Sequence, residues 1–299
     1  MISICIPIYN FKVDRLVDSL VEQMESIDKP IEILLIDDCS KTEIQRFHAE
    51  YVKRVGLKVI QLKENIGRAA IRNLFLKYAH YEHLLFLDCD SLIIRNDFIE
   101  TYLKGILNHP NAVICGGRIY PKEKMPRSQH LRLKYGIKRE QQTAKQRKVK
   151  PYASFMTNNF VVPRNVFQAH QFDEKLMGYG HEDTLFGFEL QKNKIQIVHL
   201  ANEILNGDIE SNVVYIKNTE NALLNLTVIL KLIASSDEFI QDVNLLRVYF
   251  KYKFLHPVLS FLFFLFKRQI RFVLSKGWVS LWLFDFYKIG YFNQMYRGG

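Results

Sequence analysis

Asp88-Cys89-Asp90 closes a short apolar run, His83-Leu84-Leu85-Phe86-Leu87. Two carboxylates one residue apart at the end of a buried strand serve packing poorly. Each buried charge costs several kcal/mol unless it is paired or holds a metal. Side chains at i and i+2 share one face of an extended chain, so Asp88 and Asp90 can both aim at one hard cation. Such a cation keeps sites for phosphate oxygens.

A second constellation is Gly178-Tyr179-Gly180-His181-Glu182-Asp183, followed by Leu185, Phe186, Phe188 and Leu190 at helical spacing. Acids at a helix start suit the positive end of the dipole. Capping does not account for the two glycines, which let the backbone turn tightly and approach a ligand. Tyr179 between them offers a flat face suited to a sugar ring.

The elements that must position these residues alternate over the first 120 positions. Strands are predicted at Ile2–Ile6, Ile31–Ile36, Leu57–Leu62, Leu84–Leu87 and Ala112–Ile119, and amphipathic helices near 12–27, 41–54, 66–79 and 96–107. This pattern implies βαβ units and a mainly parallel sheet, an α/β fold with both faces covered. The strands end in Pro7-Ile8-Tyr9-Asn10, Asp37-Asp38-Cys39-Ser40, Glu64-Asn65-Ile66-Gly67-Arg68 and Asp88-Cys89-Asp90. Carboxyl ends of parallel strands lie on one edge, where ligands bind, so four polar clusters are expected in one crevice. Strand character returns over 151–162, and a further strand is expected at Ile195–His199.

The chain has 299 residues, 48% of them hydrophobic, enough for one large domain with an appendage. Cys5, Cys39, Cys89 and Cys115 lie in or beside strand-like runs without a CxxC pair, as expected of reduced thiols in the cytoplasm. Met1–Pro7 lacks a basic stretch and reads as a strand rather than a signal sequence. The net charge of +10 is concentrated: residues 118–150 hold 12 Lys and Arg against 2 acids, and 246–299 hold 9 against 1. Basic segments on an otherwise acidic body suit phosphate-bearing partners or an anionic membrane. No nucleic-acid recognition motif is present, and no nucleic-acid partner is expected. Phe254–Phe266 and Trp278–Phe292 are apolar and aromatic, flanked by Lys251, Lys253, Lys267, Arg268, Arg271 and Lys276. The first is too short to cross a bilayer. Three readings stand: an amphipathic membrane-interface anchor presenting Trp278, Trp282, Phe286 and Ile289, a helical subdomain packed on the core, or an oligomer contact. The expected organisation is a domain over 1–245, with halves 1–117 and 118–245, and a helical extension over 246–299.

Ser3–Asn10, Leu35-Ile36-Asp37-Asp38-Cys39-Ser40, Asn65-Ile66-Gly67 with Arg72-Asn73, and Leu87-Asp88-Cys89-Asp90 together resemble family 2 glycosyltransferases with the GT-A fold. Gly178–Asp183 resembles the Gly-Trp/Tyr-Gly-x-Glu-Asp element of galactosyltransferase-type enzymes and bacterial chondroitin-type polymerases. The likeness covers about residues 1–225. It implies a metal-dependent transfer of a sugar from a nucleoside-diphosphate sugar, UDP-linked, to a hydroxyl of a glycan acceptor in surface polysaccharide synthesis. The single obvious base favours inversion, and a membrane-interface placement of the C-terminal segment would suit a lipid-linked acceptor. The likeness also implies roles. Pro7, Tyr9, Asp37 and Asp38 would line the nucleoside pocket, and Asn65 and Arg72 would hold the donor. Asp88 would touch ribose or metal, and Asp90 would ligate Mn²⁺ or Mg²⁺. Glu182 would hold the acceptor and Asp183 would be the base.

One departure from the pattern concerns the third metal ligand. Relatives carry a histidine where this chain has Asn206, and His199 lies seven residues earlier. An amide oxygen is a legitimate Mg²⁺ or Mn²⁺ ligand, though weaker than imidazole for Mn²⁺. A binding protein with weak or no turnover is therefore the main alternative. A nucleotidyltransferase fits less well, because the loop after the first strand has no glycine. The expected location is the cytoplasm, peripheral on the inner face of the membrane.

Overall fold

A computed structural model describes residues 1–53, 56–176 and 178–298. It divides into two compact units. The first comprises Met1–Pro121, Gln141–Lys175 and Phe186–Asp208, and the second Lys122–Glu140, Leu176–Leu185 and Ile209–Gly299.

The first unit is built on a seven-stranded sheet. Its strands are β1 (Ile2–Ile8), β2 (Ile31–Asp37), β3 (Leu57–Gln61), β4 (His83–Leu87), β6 (Val113–Cys115), β8 (Asn159–Pro163) and β9 (Ile197–His199). Three short strands, β5 (Ser91–Leu92), β7 (Arg118–Ile119) and β10 (Ile204–Asn206), form a second sheet. The large sheet has the order β3-β2-β1-β4-β8-β6-β9, with only β8 antiparallel to its neighbours. The expected mainly parallel α/β sheet is present. Its strands are apolar along their length because helices cover both faces. Leu16, Val17 and Leu20 of Asp14–Glu25 and Phe98, Ile99 and Tyr102 of Phe98–Asn108 join one core with Ile4, Ile6, Ile33 and Leu85. Phe75 of Arg68–Tyr78, Phe167 and Phe186 join the other with Leu34, Phe86 and Phe160.

Three boundaries differ from expectation. The strand character expected over 151–162 is confined to β8, and residues 151–158 form turns before it. The helix near 41–54 ends as an α-helix at Ala49 and continues as a 3-10 turn over Glu50–Lys53; Arg54 lies outside the described residues, as does Gly299 at the end of the C-terminal segment. The strand predicted over Ala112–Ile119 is broken into β6 and β7 by Gly116-Gly117. Gly117 has φ +87°, and a Cβ there would strike the Arg147 guanidinium. Arg147 causes the break. Its buried side chain donates to the carbonyls of Gln142 at 2.5 Å, Gly116 at 2.7 Å and Leu200 at 2.6 Å, with Glu203 at 3.8 Å. The guanidinium thereby ties the basic segment before β8 to the β6–β7 corner and to β9.

The second unit is helical. It contains His130–Tyr135, Asn212–Leu232, Asp237–Asp242, Asn244–Lys251, His256–Ser275 and Leu281–Gly298. Its core joins Leu131, Tyr215, Phe263, Ile270, Phe284 and Tyr287. Pro257 sits in the first turn of His256–Ser275, where its missing N–H costs nothing. The two C-terminal helices cross closely at Gly290, where any Cβ would strike Phe263. Polar ties secure them. Tyr287 donates to Glu220 at 2.5 Å, Arg271 donates to the same carboxylate at 3.1 Å, and Asn293 bridges Tyr249 and Ser260. Residues 246–298 therefore pack within this unit together with residues 209–245. Among the described residues, no helix is long and apolar enough to cross a membrane.

Arg147→Met keeps bulk but strands three buried carbonyls and the Glu203 charge. It is expected to lower unfolding free energy by about 3 kcal/mol, measured by urea titration.

Candidate active site

The ends of β1, β2 and β3 are laced to one another. The Asp38 N–H donates to the Ile8 carbonyl at 2.8 Å, and the Asn10 N–H donates to Ser40 Oγ at 2.7 Å. Asn10 Oδ1 in turn accepts the Lys41 N–H at 2.9 Å. Asn10 (φ +52°) and Cys39 (φ +61°) take left-handed backbone, a conformation Asn accepts readily. Asp38 is buried, and its two oxygens accept the N–H groups of Ile66 at 2.7 Å and Gly67 at 3.0 Å. Burial raises its pKa despite those two donors. Asn65 adds a bond to the Asp38 carbonyl at 3.1 Å. Asp38 and Asn65 thus hold the loop before Arg68–Tyr78, whereas Tyr9 is left 55% exposed beside them and Pro7 is half-buried.

Asp37 is placed differently from expectation. Its side chain is fully buried, accepts the Ser40 N–H at 2.6 Å and lies 3.6 Å from His48 Nδ1. It shapes the turn after β2 and presents no atom to a ligand.

Arg72 likewise lies inside. Its guanidinium is 2% exposed, stacks 5.8 Å from the Phe172 ring centre, and meets Asp88 Oδ1 at 2.8 Å. The buried cation thus pairs with Asp88 and also donates to the Arg68 carbonyl at 3.1 Å. The Asp88 N–H donates to the Asn158 carbonyl at 3.1 Å, and the Ser91 N–H donates back to the Asp88 carbonyl at 3.0 Å, forming a tight turn. Burial, with Asp88 next to it, pushes Asp90 up to about 6, and Arg118 and Arg68 pull it back. Burial and the same two carboxylates push the intervening Cys89 thiol up to about 12.

The small sheet brings Asn206 to this turn. Asn206 is the register partner of Ser91 across β5 and β10, and the Gly207 N–H donates to the Asp90 carbonyl at 2.8 Å. A Cβ on Gly207 would press on that carbonyl at 2.7 Å. The Asn206 amide nitrogen donates to the Asp208 carbonyl at 3.3 Å, leaving its oxygen as the donor atom for a cation. His199 is elsewhere. Its Nε2 meets the Pro151 carbonyl at 2.9 Å, its Nδ1 accepts from Arg147 at 3.3 Å, and burial lowers its pKa. Both ring nitrogens are engaged, so of the two residues only Asn206 adjoins the acidic turn.

Among the described residues, no three His, Cys, Asp or Glu side chains cluster for a metal. Asp90, Asp88 and the Asn206 amide oxygen are the groups at this turn that could hold a cation. That set suits Mg²⁺ or Mn²⁺, which take one or two carboxylates and draw their other oxygens from phosphates and water. Asn158, adjoining Asp88, is 2% exposed, and its side-chain amide has no protein partner. Arg147, Asn158 and the internal role of Arg72 were not legible in the sequence; the Gly116-Gly117 pair was the one available signal for the first.

In the second unit, Gly178 (φ +76°), Gly180 (φ +102°) and His181 (φ +66°) make the turn that opens Glu182–Lys192. Gly180 packs on Ala222, where a Cβ would clash, and its carbonyl accepts from Asn225 at 3.0 Å. Glu182 is buried and accepts the Gly180 N–H at 3.0 Å, so it holds the glycine turn. Asp183 is half-buried and accepts the Thr184 N–H at 2.7 Å. His181 Nδ1 meets Thr184 Oγ1 at 3.0 Å, and burial lowers its pKa to about 4 against the pull of Glu182.

The profile described as glycosyl transferase family 2 matches residues 3–169. The chain belongs to that family, and it is a glycosyltransferase. A Bacillus subtilis (strain 168) relative, the uncharacterized glycosyltransferase YfnE, is 26% identical over 288 residues, 76% of this chain and 72% of its own length. For two further relatives the matched part is only 12–17% of their length. The crystal structure of Staphylococcus aureus TarS 1-349 in complex with UDP-GlcNAc superposes with a TM-score of 0.59 at 20% identity, covering 92% of this chain and 79% of that one. A Pyrobaculum calidifontis mannosyltransferase in complex with GDP-Man and Mn²⁺ gives 0.55 at 14% identity, over 79% and 65%. These likenesses confirm the GT-A fold of this glycosyltransferase.

His181 sits far below its unfolded pKa of 6.5. The unfolded chain takes up the proton first, so stability is full above pH 6.5 and is lost as pH falls toward 4. His181→Asn keeps a residue that tolerates positive φ and removes the titration. Urea unfolding at pH 7, 5.5 and 4.5 is expected to show a shallower loss for the variant than for the native chain.

Proposed function

We propose that this glycosyltransferase moves a sugar from a UDP-sugar, with divalent-metal dependence and inversion, to a hydroxyl of a glycan or lipid-linked acceptor in surface polysaccharide synthesis. The observation that carries the reading is the turn at the end of β4. One carboxylate is bound to a buried guanidinium, and its neighbour is held charged with difficulty beside an amide oxygen. The UDP-GlcNAc and Mn²⁺ complexes of the similar structures support the donor class and the metal.

Asp90, with Asn206 and Asp88, would hold Mn²⁺ or Mg²⁺, which when bound neutralises charge on the departing diphosphate. Tyr9 offers its exposed ring to the nucleobase, with Pro7 beside it. Asp38 and Asn65 keep the loop at Gly67 shaped, and Asp37 keeps the turn after β2. Arg72 orients Asp88 toward the ribose. Asp183 takes the proton of the acceptor hydroxyl as that oxygen bonds to the anomeric carbon. The bond from that carbon to the phosphate oxygen breaks, and its electron pair leaves with the nucleoside diphosphate. One displacement with one base inverts the anomeric centre. Glu182 secures the turn on which Asp183 stands. We place the protein at the inner face of the cytoplasmic membrane, where a lipid-linked acceptor would lie.

Asp183→Asn keeps size and the bond to Thr184 but accepts no proton. Turnover in a sugar-transfer assay is expected to fall about 10²-fold or more with nucleoside diphosphate affinity unchanged. Near-normal turnover would move the base elsewhere. Binding without turnover in the native chain would favour a glycan-binding role.

A further inference from the structure

The helix His256–Ser275 buries only one narrow stripe. Phe263, Ile270 and Leu274 recur at i, i+7 and i+11 and enter the core of the second unit. At 100° per residue, Phe261, Leu265, Arg268 and Phe272 recur at i, i+4, i+7 and i+11 on the opposite side. That side is open. Phe254, Phe261, Phe264, Phe272, Trp278 and Trp282 are each 61–83% exposed. Soluble surfaces rarely leave so many large aromatic side chains in water, because each such side chain carries a large apolar area.

The charge of this segment is mainly positive, with Arg271 paired to Glu220 at 3.1 Å. Residues 246–299 hold nine Lys and Arg, and their one acid, Asp285, is bound to Arg139 at 2.9 Å and Lys288 at 2.8 Å. A second copy meeting the same face would bring like charges together, which disfavours a two-fold pairing. A surface of anionic headgroups over hydrocarbon complements both features. Where His256–Ser275 ends, a cleft of about 360 Å³ runs beside Gly277, lined by His130, Lys134 and Lys138 with Leu133, Ile137 and Val279. Its cations and apolar walls match a phosphate headgroup and the start of an acyl chain.

We infer that this face is a docking surface for an anionic lipid bilayer. The helix His256–Ser275 lies along the interface, Trp278 and Trp282 enter at headgroup depth, and the lysines of the cleft meet lipid phosphates. The aromatic face differs from the one expected from sequence. Phe286 packs on the core of this unit and Ile289 is half-buried, while Phe261, Phe264 and Phe272 take their place. The inference deepens the location proposed above but does not depend on the transfer chemistry.

The test is flotation of the full chain with vesicles of phosphatidylcholine alone and of phosphatidylcholine with 30% phosphatidylglycerol, at low and high salt. We expect binding to the anionic vesicles that weakens with salt, because exposed charge pairs are screened. The triple substitution Phe261→Ser, Phe264→Ser, Phe272→Ser alters only exposed side chains. It is expected to lower partitioning at least tenfold, whereas Lys134→Gln with Lys138→Gln is expected to weaken the anionic preference and spare the residual hydrophobic binding. Equal partitioning of the native chain and the triple variant would overturn the inference. So would sedimentation showing a dimer that the triple substitution dissociates without any lipid binding, which would assign the face to a second copy.

Discussion

A guanidinium buried under the end of β4 governs the chemistry of this edge. Arg72 is placed by its helix and by Phe172, and it neutralises Asp88 from inside. Had both carboxylates of the turn been left to solvent, either could swing toward water and neither would be fixed. Burial, and then the neighbouring Asp88 carboxylate, raise Asp90 to about 6. Arg118 and Arg68 relieve part of the cost of that charge. A divalent cation and the phosphates it carries would relieve the remainder, so the same electrostatic imbalance that weakens the ligand-free turn favours a loaded one.

The rest of the edge is a set of loops that stiffen one another. Asp38 is consumed by the loop at Gly67, Asn10 by the turn at Ser40, and Asp37 by Ser40 and His48. Most of the polar residues at the strand ends therefore bind protein. Their work is to keep few ligand-facing atoms in place, since loops without such ties would have to be ordered by the donor at a cost in affinity. The small sheet of β5, β7 and β10 does the same for Asn206 by pairing it with Ser91 next to Asp90.

The fold was readable because hydrophobic runs and strand-end polar clusters obey a short-range period. Strands β1 to β4 and the helices between them follow from it directly. The candidate site was readable at the level of which segments meet, because parallel strands force their carboxyl ends onto one edge. Roles of single residues were not. Asp37 and Asp38 are identical in type and adjacent, and their partners separate them: Ser40 and His48 for the first, Ile66 and Gly67 for the second. Arg72 reads as a donor-holding cation until Phe172, a hundred residues later, is seen to cover it. The break between β6 and β7 depends on Arg147, a residue that looks like one more charge in a basic stretch. In each case a deciding contact is far away in sequence, beyond any local pattern. The C-terminal helices show the converse: their apolar character was evident, but which stripe is buried depends on the Gly290–Phe263 crossing.

The central claim is that Asp90 makes nucleoside diphosphate binding depend on a divalent cation. Calorimetric titration of UDP into the native chain and into Asp90→Ala, each with Mn²⁺ and with chelator, tests it most directly. The account predicts that Mn²⁺ tightens binding to the native chain at least tenfold and leaves Asp90→Ala unchanged. Equal affinity with and without Mn²⁺ in both proteins would contradict it.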